Sequence, residues 1–316
     1  TIPVPGLAEN PNVIDSTGAL CLDQIPESMI IIGGGVIGLE LATAYAAFGT
    51  KCTIVELLPT LLPGMDAELT GMVKRQMEQK GVKFYMEAQA AAVEEGPNGA
   101  VVSVKYQGDL MKLEGEKVLV AVGRKSNAAA LNLEAAGIKN SWGVIEVNDR
   151  METNVPGVYA VGDCVGRTML SHVAMVMGEV AAVNAAGGDM VFDEKTSPSC
   201  AFVSPEFAGV GLTEEAAKAA GIDYKVGRFP LAGNGKSLIV GGTDGMIKVL
   251  ADKKYNEIIG VHMVGPRATD MIHEAALALK LECTTEEFAA TIHCHPTVSE
   301  AMREAMLAVD KKAIHI

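Results

Sequence analysis

The chain has 316 residues, 49% of them hydrophobic, and a formal net charge of -13 at pH 7. This length predicts about two domains with sizeable cores. The acidic balance argues against nucleic acid or an anionic membrane surface as a partner, because phosphates would be repelled. No apolar segment approaches the length of a membrane span, and the N-terminus has neither a basic start nor a hydrophobic signal core, so we expect a cytoplasmic protein.

The six cysteines are scattered along the chain, and none of them forms a C-x-x-C pair. Their spacing predicts no disulfide framework and no metal site, and we expect most of them to be buried thiols.

The pattern divides the chain into four segments. Residues 1–25 contain three prolines and little periodicity, which is typical of the end of another domain. Residues 26–143 and 144–194 alternate apolar strands with helical stretches. Residues 195–316 change to a different order of strands and helices, which predicts a separate α+β domain suited to dimerisation.

The stretch from residue 29 to residue 56 has the pattern of a dinucleotide-binding unit. An apolar strand over 29–32 leads into glycines at G-x-G-x-x-G spacing, a helix over 36–48 and a second strand over 52–55. The first N–H groups of a helix carry partial positive charge, and glycines let the backbone approach phosphate oxygens. We therefore predict a pyrophosphate at this helix start; a purely structural glycine turn is the alternative.

Glu56 follows the second strand and indicates which dinucleotide would bind. A carboxylate about 20 residues after the glycines can accept hydrogen bonds from the adenosine ribose hydroxyls. It would repel a 2′-phosphate, since two like charges about 4 Å apart cost on the order of several kcal/mol at an effective dielectric near 20. NADH is thus favoured over NADPH, and a solvated glutamate at a strand end is the alternative.

Later elements follow the same α/β theme. Residues 26–143 also predict a helix over 66–80, strands over 82–86, 101–106, 110–113 and 117–122, and a turn at 107–109. The last strand ends before Gly123, whose backbone could face a nicotinamide. Residues 195–316 predict a strand over 202–212, a helix with an acidic start at 213–216, antiparallel strands over 245–250 and 257–264, and a helix over 268–281.

Asp163 follows a strand predicted over 158–161 and precedes a helix predicted over 170–186. A carboxylate at the end of an apolar strand can hold the hydroxyl groups of a polyol or ribityl chain. An aspartate that only caps the next helix is the alternative.

Residues 291–300 concentrate titratable side chains. His295 precedes Pro296, where a cis bond is tolerated, and Glu300 follows five residues later at the start of a helix predicted over 299–309. A carboxylate there can bond one imidazole nitrogen and raise the basicity of the other, which predicts a general-base dyad. The alternatives are a metal site that includes His293, a nucleophilic Cys294 and a structural His-Pro turn.

Five segments together resemble the dihydrolipoamide dehydrogenases of the pyridine nucleotide-disulfide oxidoreductase class. They are GGGVIGLELA with VE at 55–56, GVYAVGDC at 157–164, MLSHVA at 169–174, PEFAGVGLTEEAAKAAG at 205–221 and HCHPTVSEAMREA at 293–305. The resemblance spans nearly the whole chain. It implies an α/β fold with a Rossmann-like NAD-binding domain, part of an FAD domain in residues 1–25 and 144–194, and a C-terminal α+β dimerisation domain.

The resemblance also implies a function. In such a homodimer, dihydrolipoamide carried on an acyltransferase or a small carrier protein reduces a cysteine pair, and electrons pass through FAD to NAD. His295, paired with Glu300, would be the acid-base group and would reach across to the partner subunit. By similarity, the NAD residues are Gly33, Gly34, Gly35, Val36, Ile37, Gly38, Leu39, Glu40, Glu56 and Gly123, and the FAD residues are Asp163, Met169, Leu170, Ser171 and His172.

The chain departs from this family in two respects. Neither the glycine fingerprint for the FAD adenosine nor a C-x-x-x-x-C redox pair occurs in the sequence. We therefore expect a truncated chain that binds NAD and dimerises but does not complete the reaction. A related NAD(P)-disulfide reductase and a non-catalytic NAD-binding dimeric scaffold are the alternative functions.

Overall fold

The computed structural model describes residues 4–315, so residues 1–3 of the predicted segment 1–25, and Ile316, lie outside it. The chain forms two compact units. Residues 124–199 make up the smaller one, and the rest of the described chain makes up the larger one. The four-segment division remains a prediction.

The first part of the larger unit contains the predicted nucleotide-binding elements. They are β1 (Val13–Ile14), α1 (Ser16–Leu20), β2 (Ser28–Ile32), α2 (Val36–Ala47), β3 (Lys51–Val55), α3 (Ala67–Gln79), β4 (Lys83–Tyr85), β5 (Gln89–Gly96), β6 (Gly99–Tyr106), β7 (Asp109–Gly115) and β8 (Lys117–Val120). A parallel sheet has the strand order β1-β8-β2-β3-β4, and β5, β6 and β7 form an antiparallel meander. The predicted hairpin is confirmed, while β1, α1 and β5 are elements that the sequence did not predict.

Burial on both faces explains the apolar run in β2. Met29 and Ile31 belong to one hydrophobic cluster with Leu39 of α2, whereas Ile30 and Ile32 belong to another below the meander. All four side chains are at most 5% exposed. Because successive residues of a strand point to opposite faces, a polar residue here would be buried whichever face it occupied.

The smaller unit contains β9 (Asn140–Ser141), β10 (Val144–Ile145) and α4 (Ser171–Ala185). The strand predicted over 158–161 is wrong: this segment has only an isolated bridge between Tyr159 and Glu152. Its backbone hydrogen bonds connect Ala160 to Met151 and Thr153 to Val158, and no ladder extends from them. An apolar run of four residues therefore packs as an extended segment, because it lacks the neighbouring strands that would make it part of a sheet.

The remaining part of the larger unit comprises β11 (Ser199–Ala201), β12 (Phe207–Gly211), α5 (Glu214–Ala219), β13 (Tyr224–Pro230), α6 (Gly235–Ile239), β14 (Met246–Asp252), β15 (Ile258–Val264), α7 (Ala268–Lys280), α8 (Thr285–Ala290) and α9 (Glu300–Val309). Its sheet has the order β11-β12-β15-β14-β13. Helices α7 and α9 contribute to the hydrophobic cluster that covers β13, β14 and β15. This is the predicted α+β architecture, with β11, β13, α6 and α8 as additions.

The single strand predicted over 202–212 is confirmed only in its second half, as β12, while residues 202–206 are irregular. Two strands, β11 and β12, flank an irregular segment that contains the cis peptide bond Ser204-Pro205. Proline has no N–H to donate to a sheet, and the N–H of Phe202 donates to Glu40 Oε1 at 2.9 Å. The missing N–H of Pro205 and the engaged N–H of Phe202 both interrupt the ladder.

None of the helices formed by residues 4–315 has the length and apolar character that a membrane span requires.

A buried cluster of charges joins α3 to the C-terminal sheet. Lys248 of β14 is 1% exposed, and its Nζ lies 2.8 Å from Asp66, 2.9 Å from Glu68 and 2.7 Å from Glu214. Arg228 donates to both carboxylate oxygens of Glu68 and to Glu214. Burial opposes the charge on Lys248, but its three carboxylate partners outweigh this and raise its pKa.

Candidate functional site

Gly33 and Gly38 shape the turn between β2 and α2. Gly33 has φ +114°, and a Cβ there would lie 2.4 Å from the carbonyl oxygen of Ala121. A Cβ at Gly38 would lie 2.2 Å from the carbonyl oxygen of Gly33. Both positions therefore need glycine for close packing of the backbone against the next strand and the helix.

Gly35 has a different role because it faces open space. A Cβ built there meets no described atom within 4 Å, and φ is -79°, which any residue can adopt. Gly35 is the N-cap of α2 and makes no side-chain capping bond. The helix start thus offers N–H groups beside an open approach, which fits the pyrophosphate of a dinucleotide.

Val36, Ile37, Leu39 and Glu40 continue this helix. Leu39 is 0% exposed in the core, so its side chain cannot reach a ligand. Glu40 binds the N–H of Phe202, as described above, and so ties α2 to the segment before β12. The predicted contribution of these residues to NAD binding remains a prediction, and backbone groups are the ones suited to it.

Glu56 lies at the end of β3, beside the glycine turn, and is 7% exposed. Its Oε2 accepts a hydrogen bond from Gly34 N–H at 2.5 Å, and its Oε1 accepts one from Leu58 N–H at 2.7 Å. Each carboxylate oxygen can accept a second bond, so these contacts leave capacity for ribose hydroxyls. The sequence did not show that Glu56 also fixes the glycine turn to β3.

The sequence on either side of Glu56 contains no positively charged residue. No lysine or arginine occurs between residues 52 and 73. A 2′-phosphate is usually accommodated by an arginine near this position, whereas a carboxylate suits the free ribose. The preference for NADH predicted from Glu56 is therefore supported by the neighbouring sequence.

Gly123 follows β8, which pairs with β2 in the parallel sheet. The carbonyl oxygen of Ala121 lies close to Gly33, so the two strand ends meet at one edge of the sheet. Gly123 has φ +119°, and a Cβ there would meet no described atom within 4 Å. This open backbone position beside the glycine turn is compatible with the predicted nicotinamide end of the cofactor.

Asp163 lies in the smaller unit with its side chain 44% exposed. Its Oδ2 accepts a hydrogen bond from Arg124 Nε at 3.2 Å. It makes no capping bond to its own short helical turn or to α4. The carboxylate is therefore accessible to a polyol, with Arg124 as its present partner.

The predicted flavin segment 169–172 leads into α4. Met169 is 46% exposed, and Leu170 is the N-cap of α4 without a side-chain capping bond. Ser171 begins the helix, and His172 Nε2 lies 2.8 Å from the carbonyl oxygen of Pro198. A helix start with uncapped N–H groups fits a phosphate, so these residues fit part of an FAD site.

His295 and Glu300 form the predicted pair. His295 Nδ1 lies 2.9 Å from Glu300 Oε1, and the peptide bond His295-Pro296 is cis. Because a carboxylate only accepts, Nδ1 carries the proton, and Nε2 of the neutral ring is free to act as a base. The His295 side chain is 80% exposed, so this nitrogen is accessible.

Glu300 is held in its charged form. Burial works to raise its pKa, but hydrogen bonds from Thr297 N–H and from His295 outweigh burial and lower it. The Thr297 bond to Glu300 Oε2 is 2.8 Å long. The dyad borders a cavity of about 500 Å³ that is also lined by His293, Arg303 and His315 among others.

The alternatives for this segment find less support. His293 is turned towards Glu274 and the carbonyl oxygen of Thr291, each 3.0 Å away. In the described part of the chain, no group of three or more His, Cys, Asp or Glu side chains could hold a metal ion. Cys294 is exposed, and His293 has both ring nitrogens engaged, so only His295, through its free Nε2, is available to activate it. The roles of the site residues remain predictions.

Two protein-family models match most of the chain. Residues 1–178 match the model of the pyridine nucleotide-disulphide oxidoreductases, and residues 197–306 match the dimerisation domain of the same family. The dimerisation domain supports a homodimer, and the family implies the use of FAD and a pyridine nucleotide.

Relatives of known identity agree with these models. The dihydrolipoyl dehydrogenase of Thermus scotoductus is 42% identical over 100% of this chain and 69% of its own length. The enzyme of Geobacillus stearothermophilus is 40% identical over 100% of this chain and 67% of its own length. The mitochondrial enzyme of Pisum sativum is 37% identical over 99% of this chain and 63% of its own length. The chain therefore spans about two thirds of the length of these relatives.

A solved structure shows the same fold. The HOCl-induced flavoprotein disulfide reductase RclA from Escherichia coli superposes with a TM-score of 0.90 at 28% identity, over 97% of this chain and 70% of that one. The resemblance noted in the sequence is thus confirmed. The chain belongs to the pyridine nucleotide-disulphide oxidoreductase family, among the enzymes of the dihydrolipoyl dehydrogenase class.

Proposed function

We propose that the protein oxidises a dihydrolipoyl group, carried on an acyltransferase or a small carrier protein in the cytoplasm, with NAD as the final acceptor. The observation that carries this proposal is the dyad: an exposed imidazole with Nδ1 bonded to Glu300 and Nε2 free. A dithiol needs such a base, because only the thiolate attacks a disulfide.

His295 would take a proton from one substrate thiol at Nε2. The resulting imidazolium would donate from Nδ1 to Glu300, whose charged form is favoured by the Thr297 N–H. General-base assistance of this kind contributes about 10²–10⁴-fold in rate. Oxidation of the dithiol releases two electrons and two protons. FAD and NAD, when bound, supply the electron transfer, and one proton leaves to solvent for each NADH formed.

The cofactor residues have separate tasks in this proposal. The N–H groups after Gly35 would hold the NAD pyrophosphate, Glu56 would accept from the ribose hydroxyls, and Gly123 would face the nicotinamide. Asp163 and residues 169–172 would hold part of FAD, with residues 1–25 and 144–194 as portions of its domain. The homodimer would place His295 at the partner's reaction centre.

The cysteine pair of the reaction is not among the residues of this chain, whose six cysteines lack the C-x-x-x-x-C spacing. We therefore propose that the chain by itself does not turn over dihydrolipoamide. Supplying in trans the segment that carries the pair in a relative should generate NADH formation from dihydrolipoamide. If it does not, while NADH still binds, a non-catalytic NAD-binding dimer is the better description.

Gly35→Ala tests the dinucleotide site without disturbing the turn. A methyl group at residue 35 meets no described atom, so the fold should be retained, but it would occupy the approach of the pyrophosphate. We expect the NADH affinity measured by fluorescence titration to fall at least tenfold, the loss of about one good phosphate contact. Gly178→Ala is the matched control, since a Cβ there also meets no described atom within 4 Å, its φ is not positive, and it lies within α4, outside the glycine turn.

The dyad is tested by His295→Gln and Glu300→Gln in the reconstituted protein. Both should lower dihydrolipoamide turnover about 10²-fold or more and leave NADH binding unchanged. Equal turnover in the variants and the parent protein would contradict the acid-base role. Unchanged NADH affinity in Gly35→Ala would contradict the placement of the dinucleotide.

A further inference from the structure

Asn234 is a buried polar residue that the sequence analysis did not single out, and it lies next to the dyad. It is 6% exposed and is the N-cap of α6. Its Oδ1 accepts hydrogen bonds from Ser237 N–H at 2.8 Å and from Ser237 Oγ at 2.9 Å. Two donors on one side of the amide fix its orientation, so that Nδ2 points the other way.

The Nδ2 group of Asn234 donates to the carbonyl oxygen of Thr297 at 3.1 Å. Thr297 N–H donates in turn to Glu300 Oε2, and Thr297 Oγ donates to the carbonyl oxygen of Cys294 at 2.8 Å. Thr297 thus contacts Asn234, the N-cap of α6, through its C=O, and the carboxylate of Glu300 through its N–H. Glu300 Oε1 then accepts from His295 Nδ1.

We propose that Asn234 is a positioning residue of the His295–Glu300 dyad. Its amide holds the Thr297 peptide group, and the Thr297 N–H keeps the Glu300 carboxylate turned towards the imidazole. Its role in catalysis rests on the proposed dithiol oxidation, whereas its role in dyad geometry does not.

The chemistry of the amide makes this role specific. A carboxylate at residue 234 would still cap α6, but an oxygen would then face the Thr297 carbonyl oxygen and repel it. A serine would also cap the helix, and its shorter side chain would not reach Thr297. Asparagine both accepts from the helix start and donates to the loop.

The test uses Asn234→Asp and Asn234→Ser, in which a carboxylate and a hydroxyl, respectively, replace the amide as the cap of α6. In the reconstituted protein we expect dihydrolipoamide turnover to fall on the order of tenfold, with NADH affinity unchanged, because the base is misdirected. The pH dependence of the turnover should also shift, which the loss of a distant structural contact would not cause. Thr213→Ala is the matched control, since it removes the N-cap of α5 in the same sheet domain.

A second readout does not depend on turnover. In protein labelled with ¹⁵N-histidine, the Nδ1–H of His295, identified by its loss in His295→Gln, should exchange faster with solvent in both Asn234 variants than in Thr213→Ala. Faster exchange without any parent turnover would support the positioning role and contradict the proposed function. Parent-like exchange in both variants would overturn the positioning role, whatever the turnover.

Discussion

Lys248→Met removes the cation at the centre of the buried charge cluster and keeps most of the side-chain volume. Lys248 is 1% exposed and Asp66 is 0% exposed, so the charge left on Asp66 would lie in a medium that solvates it poorly. Glu68 and Glu214 would keep their ion pairs with Arg228. Breaking a buried ion pair by removing one partner typically costs about 3–5 kcal/mol, and we expect a loss of unfolding free energy in this range.

Urea unfolding at one fixed chain concentration measures this loss, because the stability of a homodimer depends on concentration. Lys74→Met is the control: its i,i+4 pair with Glu78 is partly exposed, and such pairs contribute about 0.3–0.5 kcal/mol. Adding Asp66→Asn to Lys248→Met should recover part of the loss, since asparagine still caps α3 and carries no charge. A loss as small as that of the control would refute this account of the cluster, as would a double variant less stable than Lys248→Met.

The remaining predictions concern protonation, cofactor choice and thiol reactivity. Burial opposes the charge of Glu214, but hydrogen bonds from Lys248 and Lys218 outweigh burial and lower its pKa from 4.5 to about 2. The ionised carboxylate therefore stabilises the fold above pH 4.5, and this contribution is lost as the pH falls towards 2. The stability advantage of the parent protein over Glu214→Gln, from urea unfolding, should therefore shrink between pH 4.5 and pH 3; a constant difference would contradict it. Glu56→Gln removes the charge that repels a 2′-phosphate, so the ratio of NADPH to NADH affinity in fluorescence titrations should rise about tenfold, and an unchanged ratio would argue against that repulsion. Burial raises the pKa of the Cys52 thiol to about 11, so peptide mapping after alkylation at pH 8 should find Cys52 unmodified in the native protein while exposed Cys21 reacts; equal labelling would show that Cys52 is accessible.

Local sequence was sufficient for the dinucleotide unit and for the dyad. The strand, the glycine turn, α2 and β3 are contiguous, and each has its own signal in residue type and spacing. His295 and Glu300 are five residues apart, so the start of α9 brings them together. Interactions of this kind depend on local backbone geometry, which propensity and spacing describe.

Predictions failed where pairing partners decide the structure. Residues 158–161 have the composition of a strand but lack neighbours that would extend the ladder, and the strand predicted over 202–212 begins only at Phe207, after Pro205. Apolar composition indicates burial, and it does not specify which other segment is near enough to bond.

The sequence by itself determined the family, the order of the strand, glycine turn, helix and strand in the nucleotide-binding unit, and the residues of the dyad. Only the tertiary structure revealed that Asn234 reaches Thr297, 63 residues away, and that Lys248 reaches Asp66, 182 residues away. An asparagine or a lysine carries no sign of its partner in its own neighbourhood. Such pairs form because the packing of sheets and helices brings distant polar groups into a buried space, where each must find a partner.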